Sequence, residues 1–266
     1  MRKIVLAFSG GADSAFLLKI ALDILGRDNV LAVIARSETF PKREYNCAKK
    51  LARKLNANFI TINTREAKNK IFLKNPINRC YYCKKELFNY LTDIAKEKSC
   101  NFVIDGFNYD DRKDMRYGSR AAREFGVRSP LAEAHIGKED IRRFSHQLGL
   151  STWDKPSFAC LVSRFPYHHK ITKNKLKKID KAEEFLYNHG FKQVRVRVHN
   201  DIARIELSGK DIGRILLDQM LQKDIVARLK QLGFLYVTLD LEGYRTGSMN
   251  EVLRKAQRRK TNNLKD

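Results

Sequence analysis

"LAFSGGADSAF", residues 6–16, is the stretch whose reading decides the fold. A short apolar run over 3–8 leads into paired glycines, an aspartate and a serine, and an amphipathic helix pattern follows. A strand-to-helix turn of this make-up predicts a phosphate cradle. Gly10 and Gly11 permit positive φ and close backbone approach. The free N–H groups and the dipole of the helix start then favour an anion. Ser9 and Ser14 offer hydroxyls to phosphate oxygens, and Asp13 suits Mg²⁺ or a helix cap. The string is neither a Walker A loop nor a G-x-G-x-x-G dinucleotide fingerprint.

Working outward, further short apolar runs stand at 30–35, 59–62 and 102–106, as strands buried on both faces would read. Amphipathic helix patterns cover 13–25, 41–55, 83–98 and 138–149. The alternation predicts an α/β class with a parallel sheet and helices on both faces. Residues 150–172 break the periodicity and carry Pro156 and Pro166, which reads as a long functional loop between two domains, 1–150 and 151–266. The second part reads as a helix (173–189), the alternating strand "QVRVRVH" (193–199), "ARIEL" (203–207), two short helices and an apolar run at 234–243. That is a smaller α+β unit.

The 266 residues are 43% hydrophobic and 31% charged. No apolar run approaches the ~20 residues of a membrane span, so a cytoplasmic protein with no membrane partner is expected. The net charge of +23 favours anionic partners, nucleotides and nucleic acid among them. The basic end, residues 251–266, reads as a solvated, frayed tail.

Cysteines stand at 47, 80, 83, 100 and 160. An odd count in a chain expected in the cytosol argues for metal or redox use. Cys80 and Cys83 form a C-x-x-C at a helix start, where thiol pKa values fall and ligation is easier. Cys160 lies in the long loop, and Cys47 and Cys100 read as structural. Zinc on the three thiolates would want a fourth protein ligand, for which His168 or His169 is near in sequence. A [4Fe–4S] cluster on Cys80, Cys83 and Cys160 would leave one iron open to a sulfide or a substrate sulfur. The histidines read as loop-surface residues, which favours the cluster.

The Ser9–Ser14 string resembles the PP-loop of the N-type ATP pyrophosphatases. Together with "KPSFACLVSRFPY" (155–167), "RVRVHNDIARIEL" (195–207) and "LDLEGYRTGSMNEVL" (239–253), it resembles the LarE-type sulfur transferases over nearly the whole chain. The resemblance implies that the loop holds pyrophosphate while a carboxylate oxygen attacks the α-phosphate of ATP, with Mg²⁺ present. It also implies that residues 35–41, Arg36 among them, seat adenine. The substrate would be pyridinium-3,5-biscarboxylic acid mononucleotide, converted to a thiocarboxylate for nickel-pincer nucleotide biosynthesis. One branch of that family sacrifices the sulfur of the cysteine matching Cys160. The other carries three cysteines and a [4Fe–4S] cluster, and Cys80, Cys83 and Cys160 resemble that second branch.

The resemblance further assigns Arg195 and Arg197 to the substrate phosphate, and Arg164 and Arg245 to other anion contacts. Glu184 would aid metal or substrate placement, and Tyr82 or Tyr81 would stack on the pyridinium ring. Asp110 and Asp111 are both candidates for the site. A homo-oligomer and an unidentified sulfide donor are implied as well. Two rivals stand beside this reading. A tRNA thiolase suits the charge, but no zinc-ribbon cysteine set is evident. An amide-forming PP-loop synthetase would have no need of the three cysteines.

Overall fold

The structure, a computed structural model, describes residues 2–113, 117–156 and 158–253. The basic tail beyond residue 253 therefore lies outside the described residues. The chain divides into two compact units, Met1–Cys160 and Leu161–Asp266.

The first unit runs β1 (Ile4–Ala7), α1 (Ala12–Leu25), β2 (Val30–Arg36), α2 (Lys42–Lys54), β3 (Asn58–Asn63), α3 (Lys70–Leu73) and α4 (Arg79–Glu97). It continues with β4 (Phe102–Ile104), α5 (Tyr117–Glu124), α6 (Pro130–Glu133) and α7 (Lys138–Gln147). The four strands form one sheet in the order β3-β2-β1-β4, every pairing parallel. This is the expected α/β architecture.

Side chains alternate across the strands. Ile4, Leu6, Ala32 and Ile34 therefore pack on one face with Leu18 of α1, Leu51 of α2 and Ile141 of α7. Val5, Val33 and Val103 pack on the other with Phe88 and Leu91 of α4 and Ala121 of α5. Each buried Val, Leu, Ile or Phe side chain among them contributes up to about 1.5–3 kcal/mol relative to exposure. Three elements escape the sequence reading: α3, α5 and α6 are too short for an apolar period to show. Helix α4 also starts four residues earlier than its pattern, which puts Cys80 inside it.

The second unit comprises α8 (Lys173–Asn188), β5 (Val194–His199), β6 (Ile202–Leu207), α9 (Gly209–Leu217), α10 (Gln219–Gln231) and β7 (Tyr236–Leu239). Its mixed sheet has the order β5-β6-β7, with β5–β6 antiparallel and β6–β7 parallel. The run at 234–243 yields only the four-residue strand β7.

In the β1–α1 turn only Gly10 takes a positive φ, of 69°. Gly11 is the extended N-cap of α1, with φ −76°. A Cβ on Gly10 would lie 2.8 Å from both Cα and Cβ of Ala48 on α2. Gly10 is thus fixed twice over, by backbone conformation and by helix approach. Gly10→Ala is expected to cost about 1–3 kcal/mol and to displace the turn. Urea unfolding followed by the fluorescence of Trp153 checks this, and an unchanged midpoint would contradict it.

Candidate functional site

In a parallel sheet, ligands bind beyond the carboxyl ends of the strands, where the strand order reverses. Here the order reverses between β1 and β4. A cavity of about 740 Å³ opens there, within the range of small-molecule sites. Its wall takes Ser9, Gly11, Asp13 and Ser14 from the turn after β1, and Thr39 from the segment after β2. Glu66 follows β3, and Asp105 follows β4. Cys83, Lys155 and Cys160 complete it.

The turn itself is held by its own serine hydroxyls. The N-cap of α1 is Gly11, which brings no side chain of its own to the helix start, and the Gly11 amide donates to Ser9 Oγ at 3.4 Å. Ser9 Oγ and Ser14 Oγ stand 3.1 Å apart, and Ser14 donates to the Gly11 carbonyl at 3.2 Å. Both hydroxyls therefore belong to the turn.

Lys155 is a site residue that sequence reading passed over, although it begins the "KPSFACLVSRFPY" string. Its Nζ donates to the Gly10 carbonyl at 2.9 Å and pairs with Glu44 at 2.8 Å. Burial alone would raise the Glu44 carboxyl, but Lys155 and Arg43 outweigh it and hold the group below its ordinary range. Lys155 thus brings positive charge to the turn and ties it to α2.

Asp105 and Asp111, both buried, line the cavity. Asp105 accepts from the Ser129 hydroxyl at 2.8 Å and from the Phe107 amide at 3.2 Å. Asp111 pairs with Lys138 at 3.2 Å. Asp110 instead accepts from the Lys138 amide at 2.8 Å, so of the two candidates the structure puts Asp111 at the cavity. Arg36 is exposed and sits over the Tyr45 ring, 5.6 Å from its centroid. Successive strand residues face opposite ways, so Ala35 and Ser37 reach the cavity and Arg36 turns from it. Tyr82 does not line the cavity either; it meets Tyr81 edge-on at 5.4 Å, and Tyr81 donates to Glu124.

Cys83 and Cys160 line the cavity. Cys80 is exposed one turn before Cys83 on α4, at a spacing that shares a helix face. The expected lowering of thiol pKa is reversed at Cys83. Burial pushes it well above its ordinary value, and Glu66, Cys160 and Cys80 add to the rise while Lys84 opposes it. Desolvation beats the helix start because Cys83 is the fifth residue of α4, beyond the first turn. Among the described residues, no three His, Cys, Asp or Glu side chains are placed to hold a single metal ion. Cys47 is exposed and so lacks the buried packing role expected of it. Cys100 is half-buried, its thiol near the Lys98 carbonyl at 3.8 Å.

The second unit holds the arginines. Arg164, without exposure, donates from Nε and Nη2 to Glu183 at 2.8 and 2.9 Å and from Nη1 to Ser163 at 2.7 Å. Arg197 donates twice to Glu206, at 2.6 and 2.8 Å, and also to the Ser163 carbonyl and the Ser248 hydroxyl. Arg195 donates to the Val194 carbonyl at 2.8 Å and sits over the Tyr244 ring at 5.2 Å. Burial, then the charge of Arg164, holds the Arg195 guanidinium below its usual value. Arg245 is half-buried and paired with Glu242 at 2.7 Å and with Glu251 at 3.3 Å. Glu184 is exposed, and its neighbour Glu183 occupies the arginine cluster instead. One position on a helix turns a side chain by about 100°, and the sequence alone offered two adjacent glutamates.

The NAD synthase family model matches residues 1–80. The pyridinium-3,5-bisthiocarboxylic acid mononucleotide synthase of Lactiplantibacillus plantarum is 43% identical over 97% of this chain and 92% of its own length. An uncharacterized protein of Synechocystis sp. is 44% identical over 94% and 93% of the two chains. One of Methanocaldococcus jannaschii is 35% identical over 92% of each. With the parallel sheet, the glycine turn and similarity along nearly the full length of both chains, the protein belongs to the pyridinium-3,5-bisthiocarboxylic acid mononucleotide synthase (LarE) family.

Proposed function

We propose that this protein activates a carboxylate of pyridinium-3,5-biscarboxylic acid mononucleotide with ATP and replaces one of its oxygens by sulfur. The observation that carries the reading is the meeting of two features in one cavity: a glycine-capped helix start with its serine hydroxyls, and the thiols of Cys83 and Cys160. The α1 N-terminus, Ser9, Ser14 and Lys155 hold the β- and γ-phosphates. Asp13 carries Mg²⁺ beside them. The substrate carboxylate attacks the α-phosphorus, its bond to pyrophosphate breaks, and an acyl adenylate forms. Sulfide then attacks the acyl carbon and AMP leaves, giving the thiocarboxylate.

The donor set suits a [4Fe–4S] cluster. Cys83 and Cys160 both line the cavity, Cys80 lies one helical turn before Cys83 on α4, and thiolates are the ligands such a cluster takes. Cys80, Cys83 and Cys160 would hold it, and when bound it would supply a sulfide on its open iron. Thiols loaded in this way must give up their protons. In the second unit Arg164 pairs with Glu183 and Arg197 with Glu206, and Arg195 lies within reach of the charges of Arg164, Arg197 and Glu183. Three guanidinium groups on neighbouring positions suit the substrate phosphate. A homo-oligomer and an external sulfide donor complete the proposal.

The test is anaerobic turnover with ATP and the biscarboxylate mononucleotide. AMP and pyrophosphate are expected in equal amounts, together with a thiocarboxylate product. Release of ADP and phosphate, or AMP formed only with tRNA, would overturn the reading.

A further inference from the structure

Glu66 stands in the turn after β3, is only 3% exposed, and lines the cavity. The Thr39 hydroxyl donates to its Oε1 at 2.7 Å, which fixes the side chain. Its Oε2 is buried, with no hydrogen-bond partner among the described residues. A buried carboxylate oxygen left in this way is expensive, and such an atom on a residue that lines a binding cavity points to a partner that arrives with the ligand.

Position selects that partner. The phosphate end of a nucleotide belongs at the α1 N-terminus, after β1. Glu66 follows β3, two strands along the sheet in the order β3-β2-β1, or roughly 10 Å at the ordinary strand spacing. A carboxylate there repels phosphate, and a nucleotide anchored after β1 extends its uncharged end across β2 toward it. Thr39, which holds Glu66, follows β2 and lines the same cavity.

We propose that Glu66 Oε2 is a specificity-determining acceptor that reads an N–H or O–H donor on the nucleoside part of ATP. This rests on the ATP reading given above. Glu66→Gln tests it without changing volume. Thr39 keeps its hydrogen bond to the amide oxygen, so the amide nitrogen takes the place of Oε2 and a donor meets a donor. Calorimetric titrations of wild type and Glu66→Gln would use ATP, inosine triphosphate, 2′-deoxy-ATP and pyrophosphate.

The variant is expected to bind ATP about 10- to 100-fold more weakly and pyrophosphate within about twofold of wild type. In wild type, whichever of inosine triphosphate and 2′-deoxy-ATP lacks the donor that Glu66 reads should bind at least about 10-fold more weakly than ATP. That arm holds whether or not the variant folds. Unchanged ATP affinity in the variant overturns the inference alone. So does a fall in iron and acid-labile sulfide without a change in ATP affinity, which would assign the oxygen to the thiols. A wild type that binds neither ATP nor pyrophosphate overturns the proposed function, and this inference with it.

Discussion

Cys160→Ala is expected to lower thiocarboxylate formation by ~10³-fold or more, because it removes a sulfur on which both routes of transfer depend. Pyrophosphate release in the first turnover should survive, since Ser9, Ser14 and Lys155 form their contacts without Cys160. Cys80→Ala separates the two routes. Cys80 is exposed and lies outside the cavity wall, so sacrifice of the Cys160 sulfur would not need it. A cluster on the three thiolates would, and loss of transfer together with loss of iron is the outcome expected. Full transfer by Cys80→Ala over repeated turnovers would contradict the cluster. Anaerobic quantification of AMP, pyrophosphate and thiocarboxylate reads both variants.

The second large effect is on stability. Glu183 accepts both branches of the buried Arg164 guanidinium and the Val196 amide at 2.9 Å. Burial alone would raise its carboxyl, but Arg164, Arg195 and the amide pull it below its ordinary value. A folded value below the unfolded one means that the unfolded chain binds more protons in acid. The stabilisation is therefore complete above the unfolded value of about 4.3 and is lost as pH falls through the depressed folded one.

Glu183→Gln strands a buried guanidinium and is expected to cost about 3–5 kcal/mol and to flatten this acid dependence. Arg164→Met with Glu183→Leu should recover part of the loss, leaving the Val196 amide unsatisfied. Trp153, the single tryptophan, belongs to the first unit. The loss should thus appear in far-ultraviolet circular dichroism before tryptophan fluorescence. Equal stability of Glu183→Gln and wild type at neutral pH would contradict the assignment.

The parallel sheet was readable because β1, β2 and β4 are largely buried, β3 keeps an apolar run although it is an edge strand, and the long helices carry apolar periods. Helices such as α6, four residues long, leave no such period. The strand-to-helix turn at Ser9–Ser14 was readable because paired glycines stand between an apolar run and a helix pattern. What sequence could not show was direction. Arg36 sits in the expected segment but turns away from the cavity, because strand alternation hands that face to Ala35 and Ser37. Glu183 and Glu184 are chemically identical neighbours, and packing alone buries the first. Lys155 and Glu66 were missed because each gains its meaning from partners distant in the chain, Gly10 with Glu44 and Thr39 respectively. The thiol of Cys83 was misjudged because burial cannot be read from a C-x-x-C spacing.

The central claim is that the cavity joins a substrate carboxylate oxygen to the α-phosphorus of ATP before sulfur arrives. Turnover of substrate labelled with ¹⁸O in its carboxylates, followed by mass analysis of the AMP, reads that bond directly. The account predicts one labelled oxygen in AMP for each thiocarboxylate formed. Unlabelled AMP, with the heavy oxygen recovered in water or phosphate, would contradict it.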